Sequence, residues 1–527
     1  MKPVASASSP QSLEDINGWL LQALAGTPAA QLTSDSRSVM PGDVFFAYAG
    51  DAGDGRKYIA DAIERGAQAV IFDADGFQWN DDWDASRTVS NLAVAGLRDL
   101  AGPIASLYYA SPDSIMYSIG VTGTNGKTSC TQWLGHALSA RSSPTAVIGT
   151  LGVGIFRLGK CDDFSVTGYT TPDAVLLQRK LAQARGAGAT ALAIEASSIG
   201  LDHGRLNGMH FDAALFTNLT RDHLDHHGSM AAYEAAKTKL FDWPGLRHAV
   251  INLDDAMGER LIARLKSNAN GPALIGYTLD AASTTQVPAL EGVAVLRASA
   301  LQASALGTSF HVDSPFGSGQ VKTQLLGRFN VSNVLGVLGV LLAKGIDWQS
   351  AIDAIESLRA VPGRMQQLGG HDAPLVVIDY AHTPDALDKT LESLRPVARQ
   401  RGGKLWCVFG CGGDRDPGKR PLMGSSALAA DHVVVTSDNP RSESPAAIMA
   451  QIVSGIDASD KQAMQMIEDR AAAILYAVKH AARSDVILLA GKGHESTQEV
   501  MGRKQPFLDA DHATLALSAR ATRMGGA

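Results

Sequence analysis

Between residues 120 and 128 the chain reads Gly120-Val121-Thr122-Gly123-Thr124-Asn125-Gly126-Lys127-Thr128, a glycine-rich turn closing on Gly-Lys-Thr. The apolar run at 115–119 before it predicts a buried strand, and residues 131–138 after it predict a helix. A glycine-rich turn between a strand and a helix leaves backbone N–H groups free to surround phosphate oxygens at the helix N-terminus. Gly123, Thr124, Asn125 and Gly126 would form that cradle. Lys127 would add a point charge for the outer phosphates, and Thr128 a hydroxyl for Mg²⁺. The spacing departs from the usual phosphate loop, since Val121 stands where a glycine is expected and glycines occupy 120 and 123 instead. A glycine turn without a ligand is the alternative. The Gly-Lys-Thr ending in this context favours use of ATP or GTP.

Such a turn needs a parallel sheet around it, and the chain is long enough for more than one. Its 527 residues exceed what a single core accommodates and suggest about three domains. With 45% apolar and 19% charged residues it has the composition of a soluble globular protein. A net charge of −7 gives no basis for nucleic-acid or anionic-membrane partners, so an anionic substrate must be met by local basic residues. Residues 1–10 lack the charged-then-apolar plan of a secretion signal. The longest apolar stretch, 331–346, contains Ser332, Asn333 and Lys344 and is too short to insert in a bilayer. Cys130, Cys161, Cys407 and Cys411 form neither a metal spacing nor a disulfide framework. They are expected to be core or loop thiols in a reducing, cytoplasmic setting.

The fold expected is α/β in three domains. Residues 1–112 hold short strands at 44–47 and 69–72 and a helix around 59–65. Residues 113–361 alternate strands (115–121, 191–195, 213–217, 249–252) with helices, the pattern of a mostly parallel sheet covered on both faces, with a β insertion at 286–324. Residues 362–527 repeat the alternation with strands at 375–379, 405–409, 432–436 and 486–490. Pro112 and Pro362-Gly363 mark the junctions.

In a parallel sheet ligands sit outside the carboxyl ends of strands, and several polar clusters fall there. Glu195 ends an apolar strand and is a natural Mg²⁺ ligand, a strand-end salt bridge being the alternative. Residues 217–228, with Asp222, His223, Asp225, His226 and His227, follow another strand and suggest metal or phosphate contacts. Lys237 lies on a helix and by spacing alone belongs to a solvated face. Asn330 can cap the long helix that follows Gly327, and Asn333 in its first turn suits either packing or a base edge. Arg364 sits at a junction, where a guanidinium could reach phosphate. Four loops, at 379–384, 410–416, 438–441 and 491–495, follow four strand ends and should share one edge of the sheet.

These segments resemble the Mur ligases of peptidoglycan synthesis over essentially the whole chain. The match includes Thr122 to Thr128, Glu195-Ala196-Ser197-Ser198, Asn218 to His223, Asn330 to Asn333 and Pro362-Gly363-Arg364. Thr170-Thr171-Pro172-Asp173, Asp379 to Pro384 and Gly412 to Asp416 are similar to the branch that extends UDP-N-acetylmuramoyl-L-alanyl-D-glutamate by a diamino acid. Asp438-Asn439-Pro440-Arg441 looks like the signature for meso-diaminopimelate, and lysine-adding relatives lack that arginine. The physics agrees, because diaminopimelate carries a second carboxylate that a planar guanidinium binds bidentately.

The resemblance implies an ATP-dependent ligase with Mg²⁺, in which ATP phosphorylates the D-glutamate γ-carboxylate and the diaminopimelate amine displaces phosphate. It implies catalytic roles for Lys127, Glu195, His223 and Lys237, and a metal set of Thr128, Glu195, His223 and Lys237, the last as a carbamate. That reverses the surface reading of Lys237. Asn333, Arg364 and Asp379 would meet ATP along with the loop residues 123–128. Ser36, Thr170, Thr171, Ser197 and Arg205 would hold the UDP-muramoyl-dipeptide. Arg415, Asp438, Asn439, Pro440, Arg441, Gly491 and Glu495 would hold diaminopimelate. A monomer is the default expectation. Two departures stand out: His203 where relatives often have glutamine, and Asp51-Ala52-Gly53 in place of a His-Gln-Ala segment. A folylpolyglutamate synthetase would not be expected to carry a domain like 1–112, and a non-catalytic homologue would not be expected to keep the catalytic set.

Overall fold

The computed structural model describes residues 12–524 apart from 28, 51–52, 85–88, 142, 162, 280–289, 305–306 and 458–463. Asp51 and Ala52, and the first residues of the expected β insertion, therefore lie outside the described residues. The chain forms two compact units, Met1–Ile275 and Gly276–Ala527.

The first unit opens with a parallel sheet of β1 (Leu32–Thr33), β2 (Val44–Ala47), β3 (Ala69–Asp73) and β4 (Ser90–Val94). Successive side chains on a strand face opposite ways. Val44, Phe46 and Ile71 accordingly enter one buried cluster, and Phe45 and Val70 the other. The strands that follow are β5 (Tyr117–Thr122), β6 (Thr145–Gly149), β7 (Gly152–Phe156), β8 (Ala191–Glu195), β9 (Ala213–Phe216), β10 (His248–Asn252) and β11 (Ala273–Thr278), the last running past the unit's end at Ile275. They lie side by side in the order β11-β10-β9-β5-β8-β6-β7. Pairing is parallel from β10 to β6, and β7 closes the edge antiparallel.

The glycine-rich turn thus leaves the central strand β5, flanked by the ends of β8 and β9. Two expectations shift here. The strand begins at Tyr117 rather than 115, because Ile115 lies exposed at the end of a 3₁₀ turn, Pro112–Ile115. The helix after the turn, Lys127–Ser139, begins a turn earlier than its apolar residues announce, directly after Gly126 in left-handed geometry (φ +88°).

The second unit begins with an antiparallel meander, β12 (Ala294–Ser304), β13 (Gly307–Ser314) and β14 (Gly317–Thr323), so the described part of the insertion is β as expected. The apolar helix Arg328–Ala343 starts from Gly327. Asn330 is not its cap: the residue lies inside the first turn, and its Nδ2 donates to Leu326 O at 2.8 Å.

Next come β15 (Gln366–Gly369), β16 (Leu375–Asp379), β17 (Leu405–Phe409), β18 (His432–Val435), β19 (Met464–Met466) and β20 (Val486–Ala490), ordered β15-β16-β20-β17-β18-β19. All are parallel except β15. Cys407, Phe409 and Leu488 bury on one face and Trp406, Val408 and Leu489 on the other, which is why these strands appear in the sequence as unbroken apolar runs. A hairpin of β21 (Thr497–Val500) and β22 (Arg503–Pro506) follows. Among the described residues no helix is long and apolar enough to cross a membrane.

Candidate active site

In the first unit the turn 123–126 is bound to the segment leaving β9. Thr124 N donates to Asn218 O (2.7 Å), Asn125 N to Asn218 Oδ1 (3.0 Å), and Thr217 Oγ1 to Asn125 O (2.6 Å). Gly123 has φ +149°, and a Cβ there would stand 1.9 Å from Thr217 Oγ1, so no other residue fits without displacing this contact. Lys127 Nζ donates to Gly123 O and Thr124 O, each at 2.9 Å. Thr128 is buried behind it in the first helical turn.

A second ammonium arrives at the same carbonyl. Lys237 lies on the helix Met230–Thr238, is 1% exposed, and donates from Nζ to Gly123 O at 2.8 Å. Its Nζ also stands 4.3 Å from the centre of the Tyr233 ring, one turn back on the same helix. Burial, then the neighbouring Lys127 charge, drives the Lys237 amine well below the ordinary lysine range, with Asp222 opposing. The solvated-face reading of Lys237 is thus overturned.

Glu195, 1% exposed at the end of β8, is held by one neighbour: Thr150 donates from N to Oε1 (2.8 Å) and from Oγ1 to Oε2 (3.2 Å). Gly149 makes room for it, since a Cβ there would lie 2.2 Å from Oε1. His223 has φ +51°, pairs with Asp222 at 3.5 Å, and has its basicity lowered by burial.

Glu195 also anchors the Thr170–Arg205 group. Thr150 Oγ1 meets Thr170 Oγ1 at 3.3 Å, Thr171 Oγ1 donates to Glu195 O (2.7 Å) and meets Ser197 Oγ at 2.9 Å, and Arg205 Nη1 donates to Thr171 O (3.0 Å). Arg205 lies over the Tyr169 ring at 4.7 Å. Ser36, in a 3₁₀ turn, is buried close by, because Ser34 Oγ donates to Asp173 Oδ1 (2.8 Å) and Asp173 caps the helix Ala174–Gly186. Among the described residues no hydrogen bond joins Glu195, His223 and Lys237 to one another. The residues nonetheless fit a divalent cation. The Lys127 and Lys237 nitrogens meet on one carbonyl, with Asp222 the opposing charge, and Glu195 and Thr128 supply the oxygen donors that a hard cation prefers. Beside this group Asp202, His226 and His227 bring a carboxylate oxygen and two ring nitrogens within 4.8 Å of one another, although Asp202 also pairs with Lys239 at 2.8 Å.

In the second unit the four expected loops do converge, because β16, β20, β17 and β18 are parallel neighbours and all leave the sheet on the same edge. Asp379 is fixed by backbone N–H groups of Met365 (2.8 Å) and Ala381 (2.9 Å). Burial raises its pKa against the opposing pull of Arg364. Arg364 stacks on Tyr380 at 4.3 Å. Asn333 is buried in the helix Arg328–Ala343.

On the far side of this edge Asn439 Nδ2 donates to Glu495 Oε2 (2.7 Å), and Arg441 Nη1 to Gly413 O (2.6 Å). Pro440 is buried between them in sequence, and Arg415 is exposed on the 410–416 loop. Gly491, at φ +110°, faces the buried Asp438, whose Oδ2 would lie 2.6 Å from an added Cβ. Burial raises the Asp438 pKa, opposed first by Arg470. The loop 410–416 is braced by Glu443, which accepts both Arg420 nitrogens at 2.8 Å and Asp414 N at 2.6 Å. The Arg420 bond holds its carboxyl down at about 2.

His494 lies 5.2 Å from Tyr380, and burial, reinforced by Arg364, lowers its pKa to about 4. A histidine whose folded pKa is depressed contributes stability fully present above its unfolded value near 6.5, lost as pH falls toward 4. Urea titration should therefore show roughly 2 kcal/mol of acid-linked loss between pH 7 and pH 5 that His494→Phe removes. An unchanged slope in the variant would contradict the assignment.

Three family models cover most of the chain: "Mur ligase family, catalytic domain" at 29–109, "Mur ligase middle domain" at 121–341 and "Mur ligase, glutamate ligase domain" at 363–493. A UDP-N-acetylmuramoyl-L-alanyl-D-glutamate–2,6-diaminopimelate ligase of Janthinobacterium sp. (strain Marseille) is 65% identical over 509 residues, 97% of each chain. The chain belongs to the Mur ligase family. A ligase of the same name from Ralstonia nicotianae is 52% identical to this Mur ligase over 98% of the chain and 97% of the relative. A solved structure of that name superposes with a TM-score of 0.65 at 37% identity, covering 93% of this chain and 95% of the other.

Several residues of the site escaped the sequence. Thr150 follows a strand, β6, that was not singled out. Tyr233 was discoverable, since it precedes Lys237 by four residues and shares its helix face. Lys492 lies inside the 491–495 loop, where the sequence assigns it no role of its own.

Proposed function

We propose that this Mur ligase is an ATP-dependent enzyme that adds meso-2,6-diaminopimelate to the D-glutamate γ-carboxylate of UDP-N-acetylmuramoyl-L-alanyl-D-glutamate, in the cytoplasm, for peptidoglycan precursors. Two observations support the reading: the meeting of Lys127 and buried Lys237 on Gly123 O, and full-length identity to ligases of that name. The division of labour proposed is 1–112 for the UDP moiety, 113–361 for ATP and ligation, and 362–527 for the amino acid.

The chemistry brings a carboxylate against a triphosphate, so charge must be screened before bonds can change. Thr124 and Asn125 commit their N–H groups to Asn218, so the N–H groups that open the helix at Lys127, with the Lys127 ammonium, hold the outer phosphates. A γ-carboxylate oxygen attacks the terminal phosphorus and ADP leaves. The diaminopimelate nitrogen then attacks the acyl carbon, phosphate departs, and an amide remains. Mg²⁺, held by Thr128, Glu195, His223 and a Lys237 carbamate, would neutralise phosphate charge. Lys237 is suited to that modification because burial lowers its pKa and so favours the unprotonated amine, the form that attacks CO₂. Thr170, Thr171, Ser197, Arg205 and Ser36 orient the UDP-linked substrate. Asn333, Arg364 and Asp379 serve the nucleotide. Arg415, Asp438, Asn439, Pro440, Arg441, Gly491 and Glu495 receive the amino acid.

The test is phosphate release from ATP with the UDP-dipeptide, comparing meso-diaminopimelate with L-lysine. Release with diaminopimelate alone is expected. Release with lysine instead would discard the specificity, and no release with either would discard the ligase.

A further inference from the structure

The amino-acid loops of the second unit are organised around a cation that no expected role uses. Lys492 is 0% exposed and spends its three ammonium protons on three acceptors: Asn439 Oδ1 (3.1 Å), Glu495 Oε2 (3.0 Å) and Thr497 O (2.8 Å). Lysine has no further donor, so this group is fully committed to the protein.

The consequence falls on Asn439 and Glu495. An asparagine side chain is nearly symmetric in shape, and only its partners decide which end is oxygen. Here Oδ1 accepts from two groups that can only donate, the Lys492 ammonium and the Glu499 backbone N–H (3.0 Å). Rotating the amide would set its NH₂ against both. Nδ2 is therefore held toward Glu495, to which it gives one hydrogen at 2.7 Å, leaving one N–H uncommitted. Glu495 Oε2 takes donors from Asn439 and Lys492, while among the described residues Oε1 accepts no hydrogen bond. One free amide N–H beside one free carboxylate oxygen is the complement of an α-amino acid terminus, whose carboxylate accepts and whose ammonium donates.

We propose that Lys492 is a positioning residue that fixes the Asn439 amide and the Glu495 carboxylate in the orientation that receives the zwitterionic end of the incoming amino acid. It touches no substrate. It acts by removing the alternative amide rotamer and by supplying the counter-charge that lets Glu495 stay half-buried and aimed. The inference rests on the amino-acid-adding activity proposed above.

Two assays on the full chain separate them. The first is single-turnover ADP formation from ATP and the UDP-dipeptide without amino acid. The second is steady-state phosphate release as diaminopimelate is varied. If the wild type forms no ADP in the first, the functional reading fails, whatever Lys492 does. With an active wild type, Lys492→Met should keep the single-turnover rate within about twofold and raise the KM for diaminopimelate about tenfold or more, the worth of one charge-assisted hydrogen bond. KM values for ATP and the UDP-dipeptide should stay put. A purely structural tie would lower thermal stability without singling out one substrate. Lys492→Gln, of similar length and still a donor, provides a second chance should the methionine variant not fold, with about a fivefold rise expected. A diaminopimelate KM within twofold of wild type in either folded variant, or loss of single-turnover activity in both, overturns the proposal.

Discussion

Lys237→Met should abolish ligation, by about three orders of magnitude or more, and at the same time make the protein harder to unfold. The two effects have one cause. Lys237 is buried at the carbonyl of Gly123, which Lys127 also binds, and both the burial and the Lys127 charge disfavour its protonated form in the folded state. Gly123 O retains the Lys127 bond when Lys237 is removed, and methionine fills a similar volume without an orphaned polar group. One carbonyl, the Tyr233 ring and Asp222 offset that burial only in part, and replacing buried charged groups by apolar ones of similar volume often stabilises by about 1–4 kcal/mol, a few degrees in Tm. The pH dependence carries a definite sign. With a folded pKa below the unfolded value near 10.4, Lys237 contributes stability fully present above pH 10.4 and lost as pH falls toward the folded value. Wild-type stability should therefore climb between pH 7 and pH 9 more steeply than that of the variant. Phosphate release and urea titrations at the two pH values decide the matter. Turnover above a tenth of wild type would remove Lys237 from the chemistry, and a large fall in Tm would show that its burial is compensated.

That residue also marks how far the sequence could be read. Strands buried on both faces were legible to the residue, as at 191–195, 375–379, 405–409 and 486–490, because each is an apolar run, closed in the first two by a single acidic residue, Glu195 or Asp379, at the carboxyl end. The four strand-end loops could be assigned to one edge for the same reason, since parallel order dictates it. Helices that carry function were less legible. The helix at Lys127 starts on a polar glycine-rich turn that is tied to Asn218, so its apolar pattern begins late. Lys237 was misread by spacing because a lysine normally marks the wet face of a helix, and only Tyr233 one turn earlier betrays that this face is dry. Thr150 and Lys492 act through a single carboxylate or amide brought near by the fold, and neither contact leaves a local pattern. The division into 1–112, 113–361 and 362–527 remains the sequence's own proposal.

Arg441→Ala should raise the KM for diaminopimelate about 10- to 100-fold and bring the kcat/KM ratio of diaminopimelate to L-lysine down toward one. Acyl-phosphate formation, followed as single-turnover ADP release, should be untouched. The argument begins with the backbone. Arg441 sits at φ +50°, a left-handed conformation that costs a branched or long L-residue about 1 kcal/mol, and that sequences ordinarily give to glycine. It is held there by Arg441 N donating to Glu499 O (3.0 Å) and Met501 N donating to Arg441 O (2.6 Å). Both bonds are independent of the side chain, so truncation leaves the loop standing. The guanidinium gives one N–H to Gly413 O at 2.6 Å, and its Nε is 3.9 Å from Glu499, too far for a tight ion pair. Among the described residues the rest of its donor fork makes no hydrogen bond, at a position whose backbone conformation favours glycine. Strain kept at such a place points to the side chain as the reason for keeping it. Arg441→Gly supplies the matching test: it should raise Tm or leave it level while losing diaminopimelate as completely as alanine does. Arg441→Lys should fall between, since an ammonium cannot bind a carboxylate bidentately. A diaminopimelate KM unchanged in the alanine variant would mean that the distal carboxylate is read elsewhere, and that the strain at residue 441 serves the loop and not the substrate.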